Sequence, residues 1–255
     1  MWYVLCEIMF TTIFYQPVLN LLIWLYNVIP GHDLALAIIA LTIIIKAVLW
    51  PLSAKAIKSQ KAMQELQPKI EALKAKYTKP EERETMTKEM MALYKEEKVN
   101  PFSSCLPLLI QLPFFWAIFK VFRDEFTGKA SGLIYPFIFN PGPLNVIAFG
   151  FLDFSKPNII LAILAGLAQF AQAKMLPQQK PMIKGDGAKD ESMAVIMNKQ
   201  MTYIFPVLTV FICLSLPSGL AFYWFITTLL TILQQWLVFK KQNSSTKVVE
   251  GEIVK

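Results

Sequence analysis

The chain has 255 residues, 55% of them hydrophobic, and a formal net charge of +7. A mean hydropathy of +0.45 excludes an ordinary soluble domain and fits a chain that crosses a bilayer several times. Lysines crowd into Lys55 to Lys98, Lys174 to Lys199 and the C-terminus, while Met1 to Ile45 has no Lys or Arg. That unevenness marks cytoplasmic loops beside a membrane more than a nucleic-acid face.

Ile8 to Pro30 is the first apolar stretch. Pro17 interrupts it, and Thr12, Gln16 and Asn20 recur at i, i+4 and i+8, a polar stripe on one helical face. The stripe and the lack of basic residues predict an amphipathic helix lying in the outer interface, with a further span as the competing reading. Residues 1–33 are therefore expected as an outside segment, with His32 solvated in its Pro-Gly-His-Asp turn.

Leu34 to Leu52 is long enough to span a bilayer and contains one ionisable residue, Lys46. A charge there costs on the order of 3 kcal/mol. A water-filled cavity would offset that cost. The competing reading is snorkelling, since Ser53 lies roughly 10 Å further along the axis. Thr42, one turn before Lys46, and Ser53, two turns after it, share its face.

Ser53 to Asn100 predicts a cytoplasmic helical hairpin. Its first arm is rich in helix formers, Pro68 is expected to kink it, and Thr78-Lys79-Pro80-Glu81 has the form of a capping box opening the second arm. The hairpin reads equally as a connector and as a methionine-bearing docking surface.

Four further spans follow, at Leu106 to Phe122, Ile159 to Leu176, Tyr203 to Leu216 and Leu220 to Phe239. Several contain proline, which membrane helices tolerate, and several are short, which implies local thinning of the bilayer or a protein that does not fill its full thickness. Arg123 to Pro157 is expected outside, its apolar, proline-broken middle lying along the outer interface. Pro177 to Gln200 is expected as a second cytoplasmic loop, and 241–255 as a cytoplasmic tail. The fold class expected is an all-α polytopic membrane protein. Five transmembrane helices within residues 34–240 surround a hydrophilic groove, with the N-terminus outside and the C-terminus in the cytoplasm.

Catalytic and metal signatures are sparse. There is one histidine, and Cys6, Cys105 and Cys213 lack metal or redox spacing. Cys6 follows Leu5, which is not small, so it does not suit lipid attachment. No catalytic residue, metal or cofactor is expected. The polar residues inside the spans form a different set: Lys46, Thr42, Gln111, Gln169, Gln172, Ser215 and Tyr223. Each is costly against lipid and comfortable beside water or a polar chain. Interhelical hydrogen bonding is the alternative, and is preferred for Gln234 and Gln235 near the membrane exit.

Three long motifs carry a resemblance. They are MMALYKEEKVNPFSSCLPLLIQLPFFWAIF (Met90 to Phe119), MTYIFPVLTVFICLSLPSGLAFYW (Met201 to Trp224) and the run from Thr42 to Tyr77 that includes KAVLWPLSAKAIKS. Together with FLDFSKP (Phe151 to Pro157), they resemble the YidC family of membrane protein insertases over about residues 10 to 240. The resemblance implies the bacterial form without a large periplasmic domain or an additional N-terminal span. It places Lys46 at a conserved groove charge, usually arginine in relatives, and Thr42, Gln111 and Tyr223 at groove positions. Ser215 stands where relatives often have a larger residue.

The implied mechanism uses neither nucleotide nor metal: the groove holds the polar or acidic tail of a nascent segment while its apolar part enters lipid. The implied partners are nascent membrane proteins, the ribosome, targeting factors, the SecYEG translocon and the bilayer, with no specific nucleic acid beyond possible ribosomal contact. The mildly basic tail suits weak ribosomal RNA contact only. A small solute transporter or channel using Lys46, and a membrane scaffold acting through the hairpin, are the rival functions.

Overall fold

The computed structural model describes residues 2–77, 80–100, 106–126, 130–175 and 200–253, and these are mostly helical apart from a loop at 134–158. The chain opens with a continuous helical rod: α1 (Trp2–Phe10), a π-helical turn (Thr11–Tyr15) and α2 (Gln16–Val28). Helix α3 (Leu34–Glu65) follows, then α4 (Gln67–Lys76), a 3-10 turn (Pro80–Glu82) and α5 (Arg83–Glu96). Next come α6 (Leu106–Phe126) and α7 (Ile159–Met175). A second π-helical turn (Gln200–Ile204) leads into α8 (Phe205–Leu214), and α9 (Ser218–Ile253) completes the chain. Both wide turns precede a proline, Pro17 or Pro206, in the first turn of the next α-helix. Proline cannot donate the backbone bond that a regular ladder requires at that point.

Helix α9 is the axis of the bundle, packing most extensively on α7 and α3, while α8 packs on α7. One core cluster joins α2, α3, α6, α7 and α9 through residues such as Leu19, Ile38, Ile118, Ala162 and Leu220. Two glycines set the closest approaches. A Cβ on Gly166 of α7 would strike the Val210 side chain of α8, and a Cβ on Gly219 of α9 would strike the Phe122 ring of α6. Around the outside, Val48, Trp116, Ile160, Phe211 and Trp236 are exposed on separate helices. Such an apolar belt is what lipid-facing surfaces require.

Among the described residues, three helices are long and apolar enough to cross a membrane: Leu5–Val28, Leu34–Met63 and Ser218–Lys240. Ile159–Met175 and Gln200–Leu214 are shorter apolar helices. Of the N-terminal polar stripe, Thr12 is exposed, while Gln16 and Asn20 meet the loop at 133–135. Asn20 is buried, donates from Nδ2 to Leu133 O at 2.9 Å and accepts from Tyr135 N at 2.6 Å. Gln16 donates to the same carbonyl at 3.1 Å. The two amides are taken up by the backbone of that loop, so this part of the stripe is a loop-docking face.

The hairpin is not separate from the first span. Helix α3 runs without interruption through Pro51 and Ser53 to Glu65. The chain breaks at Leu66, and Pro68 sits in the first turn of α4, as the sequence predicts. Thr78 and Lys79 of the expected capping box lie outside the described residues. Glu82 stands at the N-cap of α5 without a side-chain cap bond. Most of the expected second cytoplasmic loop (176–199) and Cys105 also lie outside the described residues. The expected tail is a continuation of α9 as far as Ile253.

The loop between α6 and α7 is pinned at several points. Asn27 Nδ2 donates to Phe139 O at 2.7 Å, and Asn145 N donates to the Tyr26 hydroxyl at 3.0 Å. Asp33 caps α3 by accepting from Ala35 N at 2.7 Å, while its other oxygen accepts from Phe149 N at 2.6 Å. A two-residue antiparallel ladder pairs Ile147 with Asp153 and Ala148 with Leu152. Ser218 then donates from its hydroxyl to Asp153 O at 2.8 Å, which seats the start of α9 on this turn. His32 is exposed, with Nδ1 2.9 Å from Tyr26 O.

Candidate functional site

The polar residues of the spans meet on helix α9. At the level nearer the α6–α7 loop, Gln111 Nε2 of α6 donates to the Tyr223 hydroxyl at 2.6 Å, and Tyr223 is fully buried. On the adjacent face, Trp224 Nε1 donates to Gln169 Oε1 of α7 at 3.3 Å. Eight residues further, about 12 Å along the axis, the Lys46 ammonium donates to Thr231 Oγ1 at 2.8 Å. Thr231 passes its own hydroxyl proton to Thr227 O at 2.7 Å. Among the described residues, no carboxylate pairs with Lys46, which is half-buried between α3 and α9. Thr227, Thr231 and Gln235 recur at i, i+4 and i+8, so α9 turns a polar seam towards α3.

The expected residues therefore divide. Lys46, Gln111, Gln169 and Tyr223 all engage or adjoin α9. Thr42 lies one turn from Lys46 but is buried and bonded to Ile38 O of its own helix at 2.6 Å, so its hydroxyl is already occupied. Gln172 is half-buried on α7, three positions beyond Gln169. Ser215 is not brought to this set. It is exposed at the C-terminal end of α8 and donates to Phe211 O at 3.1 Å.

A family model described as 60Kd inner membrane protein matches residues 24–246. The chain belongs to that family. A relative named Membrane protein insertase YidC, from Francisella tularensis subsp. novicida (strain U112), is 35% identical over 232 residues. The match covers 89% of this chain and 37% of that relative. The protein of the same name from Francisella philomiragia subsp. philomiragia (strain ATCC 25017 / CCUG 19701 / FSC 153 / O#319-036) matches to the same extent. The chain thus spans about 37% of the length of the curated relatives it matches. Family membership and the apolar helices together make this 60Kd-family chain a multi-pass inner-membrane protein.

Several polar residues at and near the site escaped the sequence reading. Thr227, Thr228 and Thr231 are threonines whose hydropathy barely interrupts an apolar run. Their only trace is helical spacing with Gln235 and Tyr223. Gln234 donates to Trp50 O at a long 3.5 Å, consistent with the interhelical role preferred for it. Lys120 is a second cation within a predicted span. Its ammonium lies 3.4 Å from Thr11 Oγ1 and 4.7 Å from the Tyr15 ring centre, a cation–π contact that ties α6 to the N-terminal rod.

Away from the helices of the belt, α4 and α5 form the hairpin. Lys69 pairs with Glu97, Lys76 lies 3.6 Å from Glu89, and the Tyr77 hydroxyl donates to Glu89 at 2.5 Å. Hydrogen bonding and attraction from Glu97 hold the Lys69 ammonium above its ordinary pKa. Between the arms, Ala72, Leu73, Ala92 and Leu93 floor an open cleft of about 470 Å³.

Proposed function

We propose that this chain is a membrane protein insertase, moving the short polar tail of a nascent segment across the bilayer while its apolar part partitions into lipid. One observation carries the reading: Lys46 holds a positive charge inside an apolar helix, beside a polar seam and without a carboxylate partner among the described residues. A structural lysine at that depth would be expected to have its charge compensated. An uncompensated one is suited to attract an incoming acidic tail. Membership of the 60Kd inner membrane protein family, and relatives named as insertases, support the same reading.

The groove is assigned to the space beside the α9 seam, with Lys46, Gln111 and Tyr223 as its contacts and Gln169 and Gln172 towards α7. Helix α7 has 17 residues, about 25 Å of helix against a hydrocarbon core of about 30 Å. Its shortness supports a locally thinned bilayer on the α7–α8 side. The N-terminus is assigned to the outside and the C-terminus to the cytoplasm, on the distribution of lysines. The hairpin then faces the ribosome, targeting factors and the SecYEG translocon as their docking surface. No step requires a nucleotide. The rival solute-transporter reading draws no support from the family.

Photocrosslinking tests this function. Crosslinkers at positions 42, 46, 111 and 223 are expected to capture a stalled single-span nascent chain, most strongly from the half-buried positions 46 and 111. Crosslinks to lipid alone from all four positions would sink the groove mechanism.

A further inference from the structure

We infer that Thr231 is a positioning residue for Lys46, holding its ammonium at mid-span depth so that clients with acidic tails are favoured over neutral ones. The inference rests on the insertase reading and adds a residue to it. The lysine stem is flexible, and its point charge can be satisfied in many geometries. Left to itself, the head would drift towards the cytoplasmic headgroups, roughly 10 Å away along α3. The 2.8 Å bond to Thr231 opposes that drift.

The geometry of the threonine is what makes the bond directional. Its single proton is committed to Thr227 O at 2.7 Å, one turn back on α9. Thr231 therefore meets Lys46 only as an acceptor, with its lone pairs aimed across the α3–α9 interface. A hydroxyl supplies a hydrogen bond without neutralising the charge, whereas an aspartate there would cancel it. An ammonium has three donors, and Thr231 takes one. The charge is thus fixed in place and still available to a carboxylate.

The test uses the full chain in reconstituted vesicles. Two single-span clients share one hydrophobic segment and differ only in an acidic or a neutral outer tail. Thr231→Val, which keeps the side-chain shape, is expected to lower acidic-client insertion about fivefold and leave the neutral client unchanged. Thr231→Ser is expected to restore the acidic client. Combined with Lys46→Ala, Thr231→Val is expected to have no additional effect, because it acts only through the lysine. An equal fall for both clients, or an unchanged acidic-to-neutral ratio, would overturn the positioning role. Full insertion of the acidic client by Lys46→Ala alone would instead overturn the underlying charge mechanism, so the two failures are distinguishable.

Discussion

Gln111 and Tyr223 join α6 to α9 by a 2.6 Å hydrogen bond at a position where Tyr223 is wholly enclosed. Tyr223 is enclosed while Gln111 is half-buried, so removing Gln111 costs the tyrosine hydroxyl a hydrogen bond that water does not readily replace. Tyr223→Phe and Gln111→Leu are each expected to lower stability in detergent. A double-mutant cycle should return a coupling of about 0.6 to 1.7 kcal/mol. A coupling near zero would show that the two side chains contribute independently.

Charge at position 46 is expected to matter more than the identity of the side chain. Lys46→Arg should insert clients normally, while Lys46→Ala should fail on those with acidic outer tails. Insertion assays with a panel of tail charges check this. Full activity of the alanine variant on every client would make the lysine a bystander.

Gly219 lies against the Phe122 ring, which is itself buried. Gly219→Ala should destabilise the protein by about 1 to 3 kcal/mol through overpacking. Phe122→Leu introduced with it should recover part of that loss, as read by thermal unfolding in detergent. No recovery would place the strain elsewhere.

Asp153 has its carboxyl pKa lowered from 3.8 to about 2 by the Ser155 hydroxyl, the Ser155 amide and the Lys156 ammonium. The ionised form is the one favoured by folding. Its contribution is therefore complete above the ordinary carboxylate value and is lost as pH falls towards about 2. Proteolysis within the 149–156 turn should stay constant from neutral pH to about 4 and rise only below that. Asp153→Asn should expose the turn without this acid dependence. Opening already at mildly acidic pH would contradict the assignment.

Phe137 and Phe151 are 82% and 80% exposed on a loop whose backbone is tied to α2 and Asp33. Between Gly132 and Phe154 the loop carries one charged residue, Asp153. A spin label at Phe137→Cys, in a background lacking Cys6, Cys105 and Cys213, should collide more with oxygen than with an aqueous nickel chelate. That would place the loop in the outer interface. The reverse ratio would place it in water.

Charge and proline were the readable features of this chain. Lys46 announced itself as the lone ionisable residue of an apolar run, and Pro68 marked the break between α3 and α4. Gln111 and Tyr223 stood out for the same reason as Lys46. Thr231 did not, because a helical threonine satisfies its hydroxyl on its own backbone and interrupts an apolar run only slightly. Spacing also gave a polar face to Gln16 and Asn20 without saying what would meet it. The partner is the backbone of Leu133 and Tyr135, more than a hundred residues away in the chain. At Ser215 the sequence is ambiguous, because a polar residue at the end of a span looks the same whether it lines a cavity or bonds back to its own helix.

Helix α3 runs unbroken from Leu34 to Glu65. The lysine in the bilayer and the root of the hairpin are therefore two points on one rod, about 28 Å apart. Pro51 lies between them, so the one backbone bond missing from that rod falls on the path from Lys46 to the hairpin. The charge in the apolar run and the first arm of the hairpin thus share one helix, with a single proline between them.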